Sequence, residues 1–158
     1  MHKIKPIAVI IFLLIASLLP VTTSMVYSSN VVKTSCQIPW GKMDAELSKE
    51  VMQISIYDME TVKMNISYKP YFIQFFPVWV DIHLVDAPAW LSVIISEPQF
   101  YLQPGEVKTI SIYLKVNEDV ENGTQGVIKF EIDGRNILLP SLLEIDSCYA
   151  FLVAIKIG

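Results

Sequence analysis

From residue 50 onward this chain alternates apolar and polar side chains with a period of two, and that pattern constrains the fold more than any other feature. Met52, Ile54 and Ile56 alternate with Gln53 and Ser55, and Val62, Met64, Ile66 and Tyr68 alternate with Thr61, Lys63, Asn65 and Ser67. Val78, Val80, Ile82 and Leu84 alternate with Trp79, Asp81 and His83. Ile110, Ile112, Leu114 and Val116 repeat the pattern, as do Ile128, Phe130 and Ile132. Successive side chains of a strand point to opposite faces, so each segment reads as a strand with one face in a core.

The punctuation agrees. Asp58–Thr61 reads as a turn, and Asp86-Ala87-Pro88 and Glu97-Pro98 break the pattern. Gln103-Pro104-Gly105-Glu106 places Pro and Gly where a β-turn uses them. Asn117–Gly123 is a charged loop, and Asp133-Gly134 predicts a two-residue hairpin that returns the chain into Ile137–Leu139, ahead of Pro140. Ala150–Ile157 is a final strand, nearly all apolar, which predicts burial on both faces or a protected position. About seven to eight strands, with turns roughly every 8–12 residues and no helical period, predict an all-β antiparallel sandwich over residues 50–158.

The N-terminus is different in kind. Lys3 and Lys5 precede an apolar run of 13 residues, Ile7–Leu19, Ser17 included; Pro20 ends it, and Thr22-Thr23-Ser24 supplies small residues. Residues 1–24 therefore read as a signal peptide, with an uncleaved helical membrane anchor as the alternative. Residues 25–49 show no clear period and read as linker and irregular chain, with Pro39-Trp40-Gly41 a turn and Asp44–Lys49 one helical turn.

Charge and cysteines fit export. Beyond residue 24 the chain holds 10 basic and 16 acidic residues, without a cluster of Lys or Arg. That surface repels nucleic acid and anionic membranes, which leaves the membrane only the N-terminal segment. Cys36 and Cys148 make an even count, which in an exported chain suggests a disulfide; two buried free thiols are the alternative.

Several stretches resemble a known family. Pro88-Ala89-Trp90-Leu91-Ser92-Val93, then Leu102-Gln103-Pro104-Gly105-Glu106, then Thr109-Ile110-Ser111-Ile112, and last Gly126-Val127-Ile128 are similar to the immunoglobulin-like modules of archaeal and bacterial cell-surface proteins, near the NEW3 type. Gly123-Thr124-Gln125-Gly126 lacks the aromatic usual in the last stretch. The resemblance implies an immunoglobulin-like sandwich and a spacer, adhesive or companion role, with no catalytic residues.

Chemistry-bearing constellations are few. His83 is the one histidine beyond the N-terminal segment, and it sits on the polar phase beside Asp81, so a hydrolase would have to use it. Asp44, Glu46, Glu118, Asp119 and Glu121 are the carboxylates available for acid–base work, and the last three share a loop whose hard oxygens suit calcium, but the spacing matches no EF-hand. No phosphate-cradling or zinc motif occurs, so no cofactor or metal is expected. Asn65-Ile66-Ser67 and Asn122-Gly123-Thr124 are N-glycosylation sequons. Tyr68, Tyr71, Phe72, Phe75, Phe76 and Trp79 cluster, and Trp79 lies on the phase opposite the core, which makes it the candidate binding residue.

The expectation is a non-catalytic extracellular or envelope protein, secreted or anchored, that contacts other envelope proteins or itself. Two alternatives remain. One is a module for cell-wall glycans using Trp79 or Trp90. The other is a filament subunit whose residues 26–38 complete a neighbour's sheet.

Overall fold

The computed structural model describes residues 32–38, 41–71, 77–136 and 147–158. The N-terminal segment, Trp40, Phe72, Phe75, Phe76, Ile137–Leu139 and Pro140 lie outside the described residues. Among the described residues there are ten strands: β1 (Val32–Ile38), β2 (Gly41–Leu47), β3 (Val51–Ser55), β4 (Met59–Pro70), β5 (Val78–Asp86), β6 (Leu91–Ile95), β7 (Gln99–Leu102), β8 (Val107–Val116), β9 (Gln125–Asn136) and β10 (Cys148–Ile157). They form two sheets of five, in the orders β1-β2-β4-β8-β6 and β3-β10-β9-β5-β7. All neighbours are antiparallel except β3 and β10, which run parallel.

The alternation builds the core directly. Val62, Met64, Ile66 and Tyr68 of β4 and Ile110, Ile112 and Leu114 of β8 are buried on the inner face of the first sheet. Val80 of β5, Ile128, Phe130 and Ile132 of β9, and Ala150 and Leu152 of β10 are buried on the second. Full burial of such side chains contributes roughly 1.5–3 kcal/mol each before ordering entropy is counted. Burial also pushes the Tyr68 phenol above its ordinary pKa of 10.0.

From β2 to β9 the chain changes sheet at every connection, so among the described strands only β1–β2 and β9–β10 are sequence neighbours that pair. This corrects the expected hairpin at Asp133-Gly134. β9 runs straight through it, with Asp133 opposite Asp81 and Gly134 opposite Val80. A long-range partner on β5 satisfies the backbone there, and it overrides the local turn signal.

The segment 25–49, read as irregular, is corrected for residues 32–38 and 41–47, which are strands. Met43, Ala45 and Leu47 are buried and alternate with Lys42, Asp44 and Glu46, so Asp44 begins no helical turn. β7 is a further strand beyond the seven or eight expected, too short to show a period. β10 holds the protected position its apolarity predicts, between β3 and β9.

Two expected turns stand. Gly105 has φ +80° at the turn after Pro104, where the Glu106 N–H donates to the Gln103 carbonyl and the Gln103 N–H to Glu106 Oε2, both 3.0 Å. Gly123 has φ +86° in the loop before β9. Cys36 of β1 and Cys148 of β10 are joined in a disulfide, with Cα atoms 5.5 Å apart. The bond ties the edge of one sheet to the interior of the other.

Candidate binding face

The outer faces of the two sheets differ in chemistry. On the first, cross-strand rows such as Lys33–Glu46–Asn65–Thr109 and Ser35–Asp44–Ser67 are polar. Asp44 is held there by the Ser35 hydroxyl and by ammonium groups of Lys33 and Lys42, each at 3.2 Å. Its apolar members, Met59, Tyr113 and Ile94, gather at one corner, with Val107 apart from them.

The second sheet presents aromatic rings along its outer face. The register aligns Arg135, Trp79 and Tyr101 in one row across β9, β5 and β7. The Trp79 and Tyr101 rings meet edge to face, with centroids 4.6 Å apart and planes at 68°. Trp79 is half-buried and Tyr101 is exposed, so the pair forms a fixed aromatic corner open to solvent.

The next row is Asp133–Asp81–Gln99. Gln99 Nε2 donates to Asp81 Oδ2 at 3.0 Å, which helps satisfy a largely buried carboxylate. His83 Nε2 lies 3.4 Å from Asp81 Oδ1 and 3.8 Å from Asp133 Oδ2. Beyond it, Tyr149, Glu131 and His83 align, followed by Phe151 and Lys129. The Tyr149 hydroxyl donates to Glu131 Oε1 at 3.0 Å, and Lys129 Nζ sits 4.2 Å from the Tyr149 ring centre. Hydrogen bonds from Ser147 and Tyr149 hold the Glu131 carboxyl below its ordinary pKa, and the bond to Glu131 raises that of the Tyr149 phenol.

The sequence-based candidates are distributed as follows. Trp79 lies on this face, as its phase predicts. Trp90 is buried at 7 % exposure, so it offers no stacking surface; this corrects its candidacy for glycans. Tyr68 is core. Among the described residues, the groups that His83 meets at ion-pair distance are the carboxylates of Asp81 and Asp133. The loop acceptors Asp119 and Asn122 hold the Lys156 ammonium at 3.1 and 2.9 Å, so oxygens a calcium ion would use serve a buried amine instead. No group of three potential metal ligands occurs among the described residues. Asn122 is exposed, whereas Asn65 is half-buried with its side-chain oxygen accepting from Thr109. Of the segment 26–38 read as able to complete a neighbour's sheet, residues 32–38 form β1, paired with β2 of the same chain and fastened through Cys36, and residues 26–31 lie outside the described residues.

Tyr101, Arg135, Tyr149 and Phe151 were missed as members of the face. Tyr149 and Phe151 carried a usable signal, because they alternate with the buried Cys148, Ala150 and Leu152. Arg135 was hidden by the false hairpin.

No protein-family model matches the chain, and no curated protein matches it in sequence. Solved structures do match in shape. A PapD-like domain of human CEP192 (ASH, PapD-like domain 7) superposes with a TM-score of 0.56 at 7 % identity, over 72 % of this chain and 85 % of that one. The periplasmic chaperone SfaE gives 0.49 at 12 % identity, over 72 % of this chain and 58 % of its own. A conjugate transposon protein from Bacteroides vulgatus gives 0.33 at 11 %, over 79 % and 85 %. Only the first is similar enough to bear on architecture. The fold is an immunoglobulin-like β-sandwich similar to the PapD-like domains, and the NEW3-type resemblance draws no support from these matches.

Proposed function

We propose that this chain is a non-catalytic, exported envelope protein that works by protein–protein contact through the outer face of its second sheet. The observation that carries this reading is the Arg135–Trp79–Tyr101 row, continued by Tyr149 and Phe151 on a face that no described element covers. Rigid aromatic side chains and Arg are the types enriched at interfaces, because they bury much area at little entropic cost. Export is supported by the basic and apolar N-terminal segment and by the Cys36–Cys148 bond, since disulfides persist in oxidising compartments. The PapD-like shape is compatible with a contact role.

The test is a photo-crosslinking residue placed in cells at Tyr101 or Phe151, against control positions Lys63 and Thr109 on the other sheet. The reading expects a discrete adduct from the first pair alone. Equal adducts from both faces, or none, would remove it.

A glycan-binding reading has one specific observation in its favour. The Trp79–Tyr101 corner sits beside Asp81, Gln99 and Asp133, groups able to bond sugar hydroxyls. It expects tryptophan fluorescence to change with soluble cell-wall glycans, and the change to vanish in Trp79→Phe.

A further inference from the structure

The first sheet ends in β6, whose far side pairs with none of the described residues. The register pairs Leu91 with Val116 and Val93 with Leu114. Outside β6 proper, the Asn117 N–H donates to the Trp90 carbonyl at 2.8 Å and the Ser96 N–H to the Ser111 carbonyl at 2.9 Å. In an antiparallel pair the bonded residues alternate. Residues 90, 92, 94 and 96 therefore bond β8, and Leu91, Val93 and Ile95 turn their main-chain groups away from it. The Leu91 N–H is taken by the Pro88 carbonyl at 3.0 Å. The remaining outward groups are the N–H and C=O of Val93 and Ile95 and the C=O of Leu91.

Folded sheets usually blunt such an edge with charges, proline or bulges. Residues 87–96 carry no charge, the longest such run at any of the four edge strands, and Leu91–Ile95 contains no proline. β7 is flanked by Pro98 and Pro104, and β1 carries Lys33 and the disulfide. Val93 and Ile95 are only partly buried against the core, and Ile94 is 59 % exposed on the outer face.

We infer that β6 pairs antiparallel with β6 of a second copy of this chain about a two-fold axis at Val93. Each Val93 then bonds its counterpart reciprocally. Each Ile95 N–H donates to the Leu91 carbonyl of the other copy. Every outward donor is used, and a C=O of Ile95 is left to water, the cheaper group to leave over. The two-fold also sets Leu91 against Ile95 and Ser92 against Ile94, so no like charges face each other on the paired strands. A charged edge repels its own copy, and the uncharged run 87–96 lacks that barrier, which is what admits a second copy of this strand. The two sandwiches would share one sheet of ten strands, independently of the face described above. A five-residue edge buries little area, so the pairing is weak and concentration-dependent.

The experiment is sedimentation of the full chain up to high micromolar concentration, beside Val93→Pro. That substitution removes an outward N–H and leaves the β8 ladder intact. The expected result is a reversible monomer–dimer equilibrium that Val93→Pro abolishes while the variant keeps the parent's far-ultraviolet circular dichroism spectrum. The register is read separately by mixing Ser92→Cys chains with Ile94→Cys chains under mild oxidation. Cross-linked dimer should form in the mixture and not from either chain alone, and this holds even where the proline variant fails to fold. A monomer at every concentration, or a dimer without mixture-specific cross-linking, would overturn the inference.

Discussion

Gly126 of β9 lies directly beneath the ring of Pro88, so close that a Cβ at residue 126 would overlap the ring carbons. Here glycine is required by close approach, since its φ is ordinary for a strand; Gly105 and Gly123 are the reverse case, with positive φ and open space. Gly126→Ala should cost about 1–3 kcal/mol, as overpacking does. Adding Pro88→Ala to that variant should recover part of the loss, and urea unfolding of all four members of the cycle measures it.

The Cys36–Cys148 bond spans 112 residues of sequence. In the chain-entropy model a loop of that size is worth about 4–5 kcal/mol. Replacing both cysteines with Ala should lower the denaturation midpoint accordingly, and reductant should have no further effect on the double variant.

Lys156 is buried, yet its amine is answered by Asp119 and Asn122. Removing both acceptors with Ala leaves a buried donor unmatched, at a cost of roughly 1–3 kcal/mol. Lys156→Met should cost less, because it removes donor and need together. Parallel chemical denaturation of the two variants ranks them.

Acid should weaken the first sheet through Asp44. Partial burial acts to raise its pKa, but the Ser35 hydroxyl and the Lys42 and Lys33 ammonium groups together leave it below 3.8. A carboxyl whose folded pKa is depressed contributes stability above its unfolded value and loses it as pH falls through the folded value. Asp44→Asn should therefore be slightly less stable at neutral pH and converge with the parent in acid, as a pH series of melting curves will show.

The Glu131–Tyr149 pair should be sensitive at both extremes. Glu131 is lowered by its hydrogen bonds from Ser147 and Tyr149, so its contribution is lost in acid; Tyr149 is raised by its bond to Glu131, so its contribution is lost as pH rises through the phenol's folded value. Tyr149→Phe should flatten both limbs of the pH–stability curve. Glu131 titration followed by NMR should move toward the ordinary carboxyl range in that variant.

How far the sequence reveals the molecule depends on how each strand is buried. β4, β8 and the first half of β9 were legible because one face is core and the other polar. β2 obeys the same rule, but Ala45 and Gly41 are weak apolar markers, so Met43 and Leu47 did not stand out. β7 was lost to its length. Asp133-Gly134 carries an authentic turn signature that tertiary pairing overrode, and with it went Arg135. Trp79 was found by phase alone. Its neighbours Tyr101 and Arg135 could not be, because register between distant strands is a property of the folded sheet.

Tension applied at residue 32 would peel only residues 32–35 from β2 before the bond at Cys36 holds the rest of the edge strand. The covalent link passes that pull into Cys148, which pairs with Ile132 of β9 at the start of an interior strand. The sandwich is thereby built to stop mechanical unzipping from its N-terminal side after four residues.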